Sequence, residues 1–127
     1  MSVGDAPDDY VVRAASTPVF GRVVLSARDQ HLVVDGPVHN GCPGEALTPA
    51  EAFLGGIAAC GAELVQVLAR EHDLALAGAE AEVGGVIDRA HAIRSDVTVF
   101  SAVRLHFTLR GVGDEEAATL VEAFKGR

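Results

Sequence analysis

The chain has 127 residues, the size of one domain, and at 49% hydrophobic and 22% charged it has the balance of a globular protein that needs no metal or disulfide scaffold to fold. Its net charge of −8, with no basic stripe, excludes nucleic acid as an expected partner. Aromatic content is only 5% with no Trp, so the core must be built from Val, Leu, Ala and Ile, and a subunit interface is expected to add to it.

Met1 to Asp9 is acidic and Pro-containing, without a basic or apolar signal region, and reads as a flexible terminus. Residues 10–127 read as a single domain. Tyr10–Ala15, Val19–Ser26 and His31–Val34 are short β-branched runs, which predict three antiparallel strands. Gly36-Pro37 opens a Gly- and Pro-rich loop that lasts to Leu47. Thr48-Pro49-Ala50-Glu51 then has the form of a capping box, with Thr48 at the N-cap, proline at the first helical position and Glu51 reaching back. The helix should run to about Glu71 or His72, with Phe53, Ile57, Leu64, Val67 and Leu68 at helical spacing. Three interior glycines, Gly55, Gly56 and Gly61, each cost about 0.8–1 kcal/mol relative to Ala. Close packing must compensate, either in the chain's own core or where helices cross at a dimer interface. The apolar run Ala52–Ala62, bounded by Glu51 and Glu63, is too short for a bilayer, so no membrane association is expected.

Ala79–Asp88 and Val97–Arg110 read as two further strands, joined by a polar turn over Arg89–Ser95. In the second, Val103, Leu105, Phe107 and Leu109 share one face. Asp114 is placed as the cap of a last helix with the stripe Ala117, Leu120, Val121 and Phe124. The order βββ-α-ββ-α is α+β.

Cys60 is the foremost chemical group. It shares a helical stripe with Phe53, Ile57 and Leu64, and a free cysteine so placed is most often a small core hydrophobe. A reactive thiol would need a positive charge from elsewhere in the fold, since Glu63, one turn on, is negative. Cys42, in Asn40-Gly41-Cys42-Pro43-Gly44, is a possible second thiol or an incidental loop residue. Pairing with Cys60 within one chain would need a nearly straight loop, because Cys60 lies about 18 Å along the helix from its cap. Pairing across a dimer stays open. Two cysteines make no disulfide framework, and a reducing cytoplasm is the expected location. His39-x-x-Cys42 is half a metal site with no second pair, so no metal is expected, and no phosphate-binding loop indicates a cofactor. Glu51 lies about half a turn of the helix away from Cys60 in projection, which favours capping over catalysis.

Val34-Asp35-Gly36-Pro37, a Gly-rich loop, then Thr48-Pro49-Ala50-Glu51-Ala52-Phe53-Leu54-Gly55-Gly56-Ile57-Ala58-Ala59-Cys60 resembles the OsmC/Ohr family of osmotically inducible and organic-hydroperoxide-resistance proteins. The resemblance extends over about Tyr10 to Phe124. It implies an intertwined homodimer in which an antiparallel sheet wraps around central helices. It also implies a thiol-dependent peroxidase reducing organic hydroperoxides in oxidative or osmotic stress defence, with Cys60 as nucleophile, an arginine as its activator and a thiol as reductant. Arg22, after Phe20-Gly21, is the candidate arginine and Arg13 the other. Three departures stand out: the arginine has no secure alignment, the orienting carboxylate expected directly after the helix proline is replaced by Ala50, and the second cysteine expected after the last helix would fall beyond Arg127, as if the end of the family domain were missing. The rival readings are a catalytically inactive dimer that binds a small apolar ligand in its interface cleft, and a metal or redox sensor using Cys42 and Cys60.

Overall fold

The structure, a computed structural model, describes residues 7–94, 96 and 98–126. The flexible terminus expected over Met1–Asp9 lies mostly outside them; Pro7, Asp8 and Asp9 are exposed and irregular. The elements follow in the order β1 (Arg13–Ser16), β2 (Arg22–Ala27), β3 (Gln30–Asp35), α1 (Pro49–Glu71), β4 (Gly78–Val86), β5 (Ala102–Arg110) and α2 (Asp114–Lys125), with a 3-10 turn at Val38–Asn40. This is the expected α+β order. The chain divides into two compact units, one ending at Ala52 and the other beginning at Phe53.

In the first unit β1, β2 and β3 form an antiparallel sheet in that order. β2 and β3 are a hairpin about Arg28-Asp29, with Ala27 opposite Gln30 and, at the far end, Arg22 opposite Asp35. β2 starts at Arg22 rather than at Val19, because Thr17–Gly21 is taken up by a turn. Arg22 N donates to Val19 O at 3.1 Å, and Gly21 takes the left-handed φ of 82° that the turn requires. The following loop returns to the sheet at Leu47, which bridges Val34 in parallel, and Asp35 N donates to Leu47 O at 2.9 Å. Thr48 and Glu51 then close the start of α1. Thr48 N and Oγ1 both donate to Glu51 Oε1 at 2.9 Å, and Glu51 N donates back to Thr48 Oγ1 at 3.3 Å. These bonds, the backbone one first, hold the Glu51 carboxyl below its ordinary range.

In the second unit β4 and β5 pair antiparallel from Gly78 opposite Arg110 to Val86 opposite Ala102. β5 is shorter than the strand expected from Val97. Val97 itself lies outside the described residues, and Thr98–Ser101 precede the strand, with Ser101 N donating to Val86 O at 2.7 Å. The alternation of Leu105, Phe107 and Leu109 nonetheless places those three inward. The core gathers Leu68 and Ala69 of α1 with Leu120 of α2, and Leu74, Leu76, Leu109, Ala123 and Phe124 pack around them. Phe107 meets Phe124 edge to face at 5.2 Å, and Phe53 stacks on Phe100 at 5.6 Å. Gly113, not Asp114, stands at the N-cap of α2. Its N–H donates to Glu116 Oε1 at 3.0 Å, so Asp114 serves as an acidic first-turn residue instead.

α1 is 23 residues long and, by length and hydropathy alone, could cross a membrane, although the shorter run Ala52–Ala62 could not. Gly61, Val65, Leu68 and Ala69 are instead buried within the chain, as in a core helix.

Candidate functional site

Cys60 stands on α1, but not on its packed face. Phe107 and Leu105 of β5 seat against Gly61, and that contact fixes which side of the helix turns inward. Gly61, Val65, Leu68 and Ala69 take the core; Ile57 and Leu64 are half-buried; Phe53, Gly56, Ala59 and Cys60 are exposed. The expectation of a core cysteine is therefore corrected. The packed stripe lies one residue round from the one that periodicity suggested, and the Cys60 thiol is free and open.

Cys42 is also free, and half-buried. Its side chain lies over the backbone of Gly21 and Gly36, where a Cβ at either glycine would run into it. Its Sγ is 3.8 Å from Asn40 O, the distance of a weak thiol hydrogen bond.

Arg22 and Asp35 form the most developed polar group of the first unit. As opposite residues of a hairpin they face each other by register. Arg22 Nε donates to Asp35 Oδ1 at 2.7 Å and Nη2 donates to Oδ2 at 2.9 Å, a two-pronged pairing. Oδ2 also accepts from the backbone N–H groups of Glu45 at 3.0 Å and Ala46 at 2.9 Å. Arg22 Nη2 reaches Glu45 Oε1 at 3.4 Å. Asp35 is wholly buried, the only charged side chain so placed among the described residues, whereas Arg22 keeps 29% of its side chain exposed. The hydrogen bonds from Arg22 hold the Asp35 carboxyl far below the usual carboxylate range, outweighing burial, which acts the other way. The same bonds raise Arg22 further above its already high value.

Arg13, the other candidate arginine, lies on exposed β1 opposite Ser26 and has no ion-pair partner among the described residues. His31 Nδ1 lies 2.7 Å from Ser26 Oγ and His91 Nδ1 lies 3.1 Å from Asp88 Oδ2, both exposed. Among the described residues, no three His, Cys, Asp or Glu side chains gather into a metal-binding set.

A family profile described as OsmC-like protein matches residues 42–127, more than half of the chain and including all of α1 with Cys60. The chain belongs to the OsmC-like protein family. The fold of the whole chain agrees. An OsmC-like protein from Mycoplasma pneumoniae matches it with a TM-score of 0.79 at 16% identity, covering 96% of this chain and 84% of the other. An organic hydroperoxide resistance protein OsmC from Legionella pneumophila matches at 0.71 and 21%, covering 93% and 82%. An OsmC-like protein of unknown function from Vibrio cholerae matches at 0.76 and 9%, covering 92% and 87%. At these identities the likeness is one of OsmC-like fold. No curated protein sequence matches the chain.

Asp35 and Glu45 are the polar partners that sequence reasoning did not assign. A signal for Asp35 was present. With the hairpin centred on Arg28-Asp29, counting outward from the turn brings residue 22 opposite residue 35.

Proposed function

We propose that this OsmC-like protein is a cytoplasmic homodimeric thiol peroxidase that reduces organic hydroperoxides, with Cys60 as nucleophile. The observation that carries the reading is the free, exposed Cys60 thiol on the capped helix α1, within the stretch that resembles the hydroperoxide-resistance proteins. A peroxidatic sulfur must be reached by its substrate, and a thiol sealed in the core would not be. The apolar setting of Phe53, Gly56 and Ala59 along the same face suits an organic hydroperoxide better than hydrogen peroxide.

The Cys60 thiolate attacks the terminal oxygen of the hydroperoxide. The S–O bond forms as the O–O bond breaks, and the departing alkoxide takes a proton to leave as an alcohol. Cys60 is left as a sulfenic acid. A small thiol reductant attacks the sulfur and water departs, giving a mixed disulfide. A second reductant thiol releases the oxidised reductant and restores Cys60. The resemblance implies an arginine whose positive charge favours thiolate and alkoxide, and Arg22 is the candidate for that role. Cys42, packed on Gly21 and Gly36, serves structure.

A second reading rests on the same exposed face. Phe53 is 58% exposed, and an inactive dimer could use that apolar surface to hold a small ligand. One experiment separates the two. The protein is treated with one equivalent of cumene hydroperoxide, with and without dimedone, and its intact mass and peptides are measured. The gain of one oxygen, or a dimedone adduct, at Cys60 is expected, with Cys60→Ser inert. An unchanged mass with the fold intact favours the binding protein.

A further inference from the structure

We propose that the outer face of the β4–β5 ribbon carries a separate, non-catalytic binding site: a groove over Gly84 that takes an amino-acid zwitterion with an apolar side chain, its carboxylate on Arg104 and its ammonium at Glu82. The site is independent of the chemistry at Cys60.

Alternation sends Leu105, Phe107 and Leu109 toward the core and leaves Glu82, Gly84 and Val86 of β4, with Arg104 and His106 of β5, on the exposed face. Those residues line a groove of about 570 Å³. Its floor is Gly84. A Cβ there would meet nothing within 4 Å, so the groove is open because this position lacks a side chain. Register sets Gly84 opposite Arg104 and Glu82 opposite His106. Arg104 thus faces a glycine and has no side chain directly across from it to pair with. Further along the same face Arg110 is paired, its Nη1 donating to Glu80 Oε1 at 3.2 Å. Among the described residues the side chains of Arg104, His106 and Glu82 have no hydrogen-bond or ion-pair partner. A guanidinium and a carboxylate therefore line one groove without neutralising each other. Glu82 repels a plain anion and Arg104 repels a plain cation, whereas a zwitterion satisfies both. Glu82 and Arg104 occupy diagonal positions, within reach of two charges one carbon apart, and the planar guanidinium fork matches a carboxylate. Val86, 47% exposed, stands at the end of the groove away from Glu82 and offers an apolar contact to the ligand's side chain.

The probe is L-leucine, titrated into the isotope-labelled full chain and followed by amide chemical shifts. Isocaproate and isoamylamine, the same molecule without its amine and without its carboxylate, are titrated alongside. Saturable shifts are expected at Glu82–Val86 and Arg104–His106, with each single-charge analogue binding weaker than leucine by about threefold or more. Arg104→Gln and Glu82→Gln should each weaken leucine by a similar factor, and Glu82→Gln should strengthen isocaproate, since the repelling charge is gone. Gly84→Leu has room on the exposed face and fills the floor, so it should abolish the shifts. All three substituted positions are exposed, and the dispersion of the remaining amide signals reports that each variant keeps the fold. Absence of saturable shifts at these residues in the parent overturns the proposal, as does leucine binding that survives Gly84→Leu. Isocaproate binding as tightly as leucine, with Glu82→Gln without effect on either, also overturns it, because the groove would then recognise the carboxylate alone.

Discussion

Phe107 lies directly over Gly61: a Cβ built at residue 61 would stand 3.0 Å from the ring Cζ and 3.1 Å from Cε1. This contact sets the rotation of α1 against β5 and so turns Cys60 outward. It also explains why a helix tolerates a glycine there in spite of its conformational cost.

Gly61→Leu should therefore destabilise the protein by about 1–3 kcal/mol, the range for overpacking a closed site. Gly61→Ala should do much less harm, since better helix propensity offsets a small shift of the ring. Urea unfolding of both variants checks the order. Equal stability of Gly61→Leu and the parent would mean that β5 does not press on the helix.

The face carrying Gly56 tests the dimer. Within the chain a Cβ at Gly56 meets nothing within 4 Å, so Gly56→Leu has room in a lone protomer. In the proposed homodimer Gly56 packs against the partner while Cys60, one turn on, lines the interface cleft left open to substrate, and the leucine should weaken association. Sedimentation equilibrium should show the parent at twice 13.1 kDa and Gly56→Leu shifted toward one chain mass. A parent at a single chain mass would remove the homodimer.

Thr48→Ala removes the hydroxyl that accepts from Glu51 N and donates to Glu51 Oε1, and should cost about 1 kcal/mol. The reading is the urea midpoint at unchanged slope. A change in slope would show instead that the folded or unfolded ensemble had changed its compactness.

Acid should weaken the mount of Arg22. The folded-state pKa of Asp35 is depressed below its ordinary value of 3.8, so its contribution is present above that value and is lost as pH falls toward the folded one. The Tm of Asp35→Asn should lie below that of the parent at neutral pH, and the gap should narrow as pH drops below about 4. A constant gap would show that ionisation of Asp35 contributes nothing. Glu51 carries a depression of the same sign.

Element identity was largely legible because it is local. Thr48-Pro49-Ala50-Glu51 announces the start of α1 through bonds between residues three apart, and alternation over Val103–Leu109 announces a strand face with period two. Boundaries were less so. The turn at Thr17–Gly21 delayed β2, and Gly113 displaced Asp114 as the cap, because both depend on backbone geometry more than on residue type.

By itself the sequence determined the α+β order and the family resemblance, and it singled out Cys60 and Arg22 as candidates for the proposed chemistry. Only the tertiary structure decided what surrounds them. Helical period places Cys60 on a stripe, but which stripe is buried depended on Phe107 seating over Gly61, a contact between residues far apart in the chain. Likewise the grip of Asp35 on Arg22 depended on hairpin register and on a loop returning the Glu45 and Ala46 amides to the same carboxylate. Short-range propensity reads neighbours along the chain, whereas exposure and ion pairing are set by which distant neighbours the packed core brings together.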